Sequence, residues 1–450
     1  MKKVILSILT ILFINTYSYS QGKETMELSL ESCIKMAVEN NINIQSANID
    51  AEKARYKVNE TRSALLPKVN ASGNFQDHIK LQTTMLPGEL LGQPGTSLAV
   101  QMGSNFVTSA SIGINQVLYN QTALSALRLS KMSYELNSLS VEKAGEEIAT
   151  EITKLYFLTT TTVEQKKLIE DNITRTQQME NITRLFVENN IGKQVDYDRI
   201  HVSLENLYTQ LSNTEAAIEQ QLNMIKYMLG IPLYQNIVLT ENSEISLLKE
   251  EPEINPDFSS HIDILLLESQ IGISEMNQKI IKHGYVPTLS FTGQMTTQGL
   301  RNEFNNYFNS NPENKWYGSS YIGLSLSIPV FDGLEKRSKS QQAKLDYQKV
   351  NMKLNDKKEQ LNADHINALN NYQNNKTNVT RQKANISLAE KVYAETSLKY
   401  REGLATMSDL LQDEMSLSNA QSSYLNALYN LKEAELKIMS LNGEINKLIK

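Results

Sequence analysis

The chain has 450 residues, a formal charge of −6, 40% hydrophobic and 21% charged residues, nine prolines and one cysteine. One thiol excludes a disulfide framework and a cysteine zinc site, and an acidic balance without a basic block excludes nucleic acid, whose binders neutralise phosphates. A mean hydropathy of −0.38 excludes a bundle of membrane-spanning helices.

In chain order, Lys2-Lys3 precede an apolar run from Val4 to Ile14, and Ser18-Tyr19-Ser20 follow. A charged start, a short apolar core and small residues at a cleavage position predict an export signal over 1–20. The run is shorter than the ~20 residues a spanning helix needs. Cys33 lies too far beyond it to carry a lipid anchor. Helices are then expected over 30–64, 122–187, 194–228, 258–282, 333–400 and 406–440. Residues 95–231 and 330–450 contain no proline, and proline costs about 3 kcal/mol inside a helix. Tyr347, Leu354, Leu361 and Ala368, then Tyr372, Val379, Ile386, Tyr393 and Tyr400, recur every seven residues as a helical seam.

Between the helices the period changes to two. Leu289, Phe291, Gly293 and Met295 alternate with polar neighbours, as do Ile322, Leu324, Leu326 and Ile328; Val69 to Phe75 and Ala110 to Ile114 form a weaker pair. These predict four strands of about ten residues, long enough to cross a bilayer when tilted.

The chain repeats itself. Leu66-Pro67-Lys68-Val69 resembles Val286-Pro287-Thr288-Leu289, Gln116 to Asn120 resembles Ile328 to Asp332, and Val187 to Asp196 resembles Tyr400 to Asp409. The expected divisions are a signal (1–20), a first repeat (21–230), a linker (231–257), a second repeat (258–443) and a tail (444–450). In each copy two shorter helices add up to one long one of roughly 100 Å at 1.5 Å per residue. Four strands cannot close a membrane barrel, for which about eight is the minimum, and open edges are not tolerated in lipid. Three copies supply twelve strands and twelve rods, and rods spaced about 10 Å apart leave a bore of about 28 Å.

Over nearly the whole mature chain the sequence resembles the TolC family of outer-membrane efflux proteins. The residues that carry this are Leu28 to Ile34 with Asn40-Asn41, the two strand-to-helix junctions, and Tyr400-Arg401-Glu402-Gly403-Leu404 with Ser408-Asp409-Leu410-Leu411. The segment Leu86 to Gly95 is similar to loops of Bacteroidetes members. The resemblance implies a mainly α fold with a small β part: a homotrimeric α-helical barrel continuous with a 12-stranded outer-membrane β-barrel. It also implies a passive duct in outer-membrane lipid, docking a periplasmic adaptor (a membrane fusion protein) and an inner-membrane RND or ABC transporter, without enzymatic activity or cofactor. Departures are Asn41-Ile42 in place of Asn-Pro, Asn190 in place of glycine, and Ala405 with Val195 where some members latch the entrance through arginine.

Several residues acquire candidate roles from this likeness. Asp409 becomes a ring of carboxylates at the periplasmic entrance, although Thr406-Met407-Ser408-Asp409 is also a capping box. The second acidic ring of some relatives falls on Gln412 and is not expected, and Asp413 reads as solvated. Tyr400 and Asp196 match positions that hydrogen-bond to hold the entrance shut, whereas Tyr400 also completes the seam. Asn190, Ile191, Gly403 and Leu404 lie at the helix-turn-helix tips expected to dock the adaptor, with ordinary helix capping as the plain alternative. Trp316, Tyr317 and Tyr321, with Phe304, Tyr307 and Phe308 nearby, are expected to form an aromatic girdle, or else to pack within a loop. The five histidines show no metal spacing, Asp364-His365 reads as a solvated face, and no nucleophile, phosphate or dinucleotide motif is present. The rival reading is a periplasmic coiled-coil scaffold or adaptor without a pore, which would lack membrane-length strands.

Overall fold

Ser29 begins the first helix, its hydroxyl oxygen accepting from the Ser32 amide at 3.1 Å. The computed structural model describes residues 25–87, 92, 95–240, 247–248, 251–254, 256–308 and 314–449. The expected signal over 1–20, most of the segment after Pro87 and part of the expected linker lie outside them. Strand β1 (Met26–Leu28) leads into helices α1 (Leu30–Asn40) and α2 (Ile42–Ser63), and then into strands β2 (Lys68–Asp77), β3 (Thr83–Pro87), β4 (Ser97–Gln101) and β5 (Phe106–Tyr119). Helices α3 (Gln121–Glu188) and α4 (Gln194–Leu229) follow, then β6 (Ile237–Leu239) and α5 (Ile262–His283). The remainder is β7 (Thr288–Arg301), β8 (Trp316–Ser327), α6 (Glu335–Arg401), α7 (Met407–Leu441) and α8 (Asn446–Ile449).

Three expectations are corrected here. The helix expected over 30–64 breaks at Asn41, whose extended backbone (φ −65°, ψ 130°) ends α1. Its side-chain oxygen accepts from the Asn43 amide at 2.9 Å and opens α2 as an asparagine N-cap. The helix expected from 258 begins instead with a 3₁₀ turn over Phe258–Ser260, and α5 starts at Ile262. Besides the four expected strands there are two short pairs: β1 runs parallel to β6, and β3 antiparallel to β4.

The chain divides into two compact units, each holding pieces of both sequence halves. One comprises residues to Ile49, Ser138–Leu266 and Leu354 onward. Its largest core gathers Cys33, Ile34 and Ala37 of α1, Ile152 and Tyr156 of α3, Ile225 and Leu229 of α4, and Leu436 and Met439 of α7. The Tyr156 hydroxyl donates to the Leu28 carbonyl at 3.3 Å, tying β1 to this core. His365 belongs to the buried seam of α6 and not to a solvated face: it is fully buried, its ring edge-on to Phe258 at 6.0 Å. Burial keeps its pKa below the usual imidazole value.

The second unit, Asp50–Asn137 and Leu267–Lys353, holds an antiparallel sheet in the order β2-β5-β7-β8. Strands β5 and β7 are 14 residues each, β8 is 12 and β2 is 10. Among the described residues both outer strands have a neighbour on one side only.

Candidate functional site: a two-faced sheet and a pair of helical tips

Register turns the alternation of single strands into two faces of one sheet. Val69 pairs with Ile114, Ala71 with Ile112, Met295 with Ile112, Phe291 with Leu324 and Gly293 with Ile322. Because side chains alternate sides, these positions share one face, joined by Leu289 and Leu326. It is apolar and open: Ile112, Val69, Leu324, Met295 and Ile322 are 60–81% exposed. Large apolar surface of this kind marks a contact with protein or lipid.

The other face carries Asn70, Ser72, Asn74 and Gln76 of β2, Ser109, Ser111 and Asn115 of β5, Thr292, Gln294, Thr296 and Gln298 of β7, and Ser319, Ser325 and Ser327 of β8. The Ser72 and Ser111 hydroxyls lie 2.8 Å apart. Among the described residues of this face Lys68 alone is charged. Hydroxyls and amides dominate it, with Val107, Val117 and Leu300 toward its ends.

The same register divides the residues of the expected girdle between the two faces. Trp316 stands opposite Gly299 on the apolar face, but Tyr317 and Tyr321 stand opposite Gln298 and Gln294 on the polar one. The Tyr321 hydroxyl donates to Gln294 Oε1 at 2.9 Å. Aromatic rings that do share the end of the apolar face with Trp316 are Phe75 and Phe106, stacked 6.2 Å apart, with Phe304 edge-on to both. Tyr307 joins them at 6.1 Å from Phe75. Tyr119 and Phe291 lie near the opposite end. Leu289 and Gly299 bound this band ten residues apart on β7, about 33 Å along the strand and about 25 Å in height at a 40° tilt, the thickness of an outer-membrane barrel's apolar belt.

The second candidate region is the pair of tips, both in the other unit. Glu188 ends α3 and Gln194 starts α4; Arg401 ends α6 and Met407 starts α7. The two turns are built alike. Asn190 and Gly403 take left-handed backbone, φ 60° and 76°. The Ile191 amide returns to the Phe186 carbonyl at 2.9 Å and the Leu404 amide to the Lys399 carbonyl at 2.8 Å. Ile191 and Leu404, the residues after the turn, are 73% and 74% exposed. Gly192 went unread in the sequence: a Cβ there would stand 2.8 Å from the Phe186 Cβ.

Asp409 closes a complete capping box. Its Oδ2 accepts from the Thr406 amide at 3.0 Å and hydroxyl at 2.7 Å, while its own amide donates to Thr406 Oγ1 at 3.2 Å. These bonds hold its pKa below the ordinary carboxylate value, and its surface stays in water. Tyr400 and Asp196 are not hydrogen-bonded to each other. The buried Tyr400 hydroxyl lies 3.1 Å from Thr183 Oγ1, and Asp196 faces Arg199 of its own helix at 3.5 Å. Burial raises the Tyr400 pKa; the Thr183 hydrogen bond opposes this and the Asp196 charge adds to it. Sequence reasoning also missed Arg199, whose Nη1 donates to Ser408 Oγ at 3.2 Å and joins α4 to α7.

The sequence pattern of the family described as Outer membrane efflux protein matches residues 33–231 and 274–444. The outer membrane protein TolC of Escherichia coli K12 is 22% identical over 99% of this chain and 87% of its own length, and that of Salmonella enteritidis is likewise 22% identical. Among solved structures, the outer membrane protein VceC of Vibrio cholerae has a TM-score of 0.72 at 14% identity, covering 92% of this chain and 96% of its own. CusC scores 0.74 at 14% identity with 95% of both chains covered. The Neisseria gonorrhoeae MtrE channel, solved in an open state, scores 0.73 at 18% identity, over 92% and 88%.

Proposed function

The chain belongs to the outer membrane efflux protein family, and from that premise we propose that three copies share one barrel and form the exit duct of a tripartite efflux or type I secretion assembly. Membership makes it a channel of the outer membrane that extends into the periplasm, and a transporter without enzymatic chemistry. The observation that carries the trimer is the sheet: one apolar face, one polar face and a free edge on either side. A lone sheet of this kind in lipid would leave two rows of backbone groups unsatisfied. Joining β8 of one copy to β2 of the next, three times, closes twelve strands around the hydroxyl and amide wall. A pore-free periplasmic scaffold would have no use for a band of this height.

In this reading Ile191 and Leu404, on the turns set by Asn190 and Gly403, dock the adaptor. Asp409 rings the entrance, while Tyr400, through Thr183, and Asp196, through Arg199, hold neighbouring helices together. The partners are a membrane fusion protein and an inner-membrane RND or ABC transporter, and the sequence from Leu86 to Gly95 supports a Bacteroidetes-type branch. The internal repeat supports a division at about 230 and 258.

Planar-bilayer recording tests the duct. The purified protein should open discrete conducting channels, and Asp409→Asn should leave them conducting but less blocked by divalent cations. Bilayers that stay silent would contradict the reading.

A further inference from the structure

The seam of α7 runs Met407, Leu410, Glu414, Leu417 and Gln421, all buried, at the alternating three- and four-residue spacing of a coiled-coil face. Two polar groups near the tips find partners across helices: Gln421 accepts from Asn172 of α3 at 3.3 Å, and Tyr400 of α6 meets Thr183 of α3. Glu414 does not. It is 7% exposed, its seam neighbours Leu410 and Leu417 lie in one cluster with Met179 and Tyr393, and its Oε1 meets no hydrogen-bond partner among the described residues. The one charge that acts on its pKa is that of Arg175 of α3. The Nε of Arg175 is also unpartnered, its Nη2 donates to Asn172 on its own helix, and its guanidinium lies 5.8 Å from the Tyr393 ring centre of α6. Among the described residues no hydrogen bond joins this carboxyl to the guanidinium, which lies over the Tyr393 ring of the cluster that holds Leu410 and Leu417.

An ionised carboxylate is poorly held in such a place, because a buried charge needs a hydrogen-bonded partner. Burial accordingly raises the Glu414 pKa, against the lowering effect of Arg175. We propose that Glu414 is a proton-linked gating residue: its carboxyl is buried with an unpartnered oxygen while α3, α6 and α7 pack as they do here, and meets water once these helices part. This rests on the reading of the tips as the channel's entrance. Tyr393 stays protonated, since burial raises its pKa, and Arg175 of α3 and Arg401 of α6 stay charged.

The sign follows from linkage. The packed form holds the proton more tightly, so low pH favours closure. The bias toward opening grows as pH rises from the ordinary carboxylate value of 4.5 to the raised value in the packed form, and is constant above it. Each proton released changes the open-to-closed ratio by up to about tenfold per pH unit within that window, and a three-fold assembly releases up to three.

The test is single-channel recording across this pH range on the assembled wild-type channel, Glu414→Gln and Arg175→Gln. Wild-type open probability should rise with pH, the rise should vanish in Glu414→Gln, and Arg175→Gln should move the midpoint upward. A Glu414→Gln profile identical to wild type, or a wild-type profile that is flat, overturns the inference. Should Glu414→Gln fail to assemble, the Arg175→Gln midpoint decides: an upward shift supports the inference and an unmoved midpoint overturns it. Channels that conduct but ignore pH reject the gating role alone, whereas no conductance at any pH rejects the duct and the gate together.

Discussion

Asp263, in the first turn of α5, shows how one residue can hold three helices. Its two carboxylate oxygens each accept from a lysine at 2.8 Å, Lys143 of α3 and Lys357 of α6. Burial alone would raise its pKa, but the two lysines outweigh it and hold the value at about 2, against an ordinary 3.8. A depressed carboxylate stabilises the fold fully above its unfolded pKa and loses that contribution as pH falls through the folded one. The stake is on the order of 2 kcal/mol at 1.36 kcal/mol per unit. Asp263→Asn should therefore lower the melting temperature at neutral pH and flatten the further loss between about pH 4 and pH 2. Parallel melting curves for the two proteins over that range would remove Asp263 from the account. At this scale the sequence was legible where chemistry is local. Thr406 and Asp409 form the capping box that their spacing announces, and Asn190 takes the positive φ that asparagine tolerates. Thr183 as the partner of Tyr400, and Arg199 as that of Ser408, depend on which helices meet, and spacing along one helix does not hold that information.

For the elements, proline-free length and a seven-residue seam located the long helices to within a residue or two, because nothing in those stretches opposes helix. The break at Asn41 was hidden, since a capping asparagine inside an otherwise helical run looks like any polar surface residue. His365 was readable, as it follows Leu361 by four and precedes Ala368 by three, which puts it on the seam, but its polarity suggested solvent instead. Strands β1 and β6 are three residues each, too short to show a period. The expected girdle residues separate for a different reason. Trp316, Tyr317 and Tyr321 cluster in sequence, yet strand parity separates the first from the other two. Parity also yields a prediction for the sheet as an element. Ile112→Arg, on the apolar face, should cost about 2–4 kcal/mol of insertion stability in a bilayer, while Ser111→Arg, one residue away on the polar face, should insert like wild type. Heat-modified gel mobility of the protein folded into vesicles reads both. Equal behaviour of the two variants would mean that the faces are assigned wrongly.

For the whole molecule, the central claim is that one chain supplies four strands of a barrel it cannot close. Four strands, two faces and two free edges were largely foreseeable, because period-two alternation and strand count come directly from the residues. The number of copies rests on closure arithmetic alone, since no contact between copies is written in a single chain. The measurement that bears on this most directly is the mass of the protein extracted from envelopes in mild detergent, by native mass spectrometry after removal of the detergent. The account predicts one species containing three chains, dissociating only when the sheet unfolds. A stable single chain, or an assembly of any other number, would contradict it.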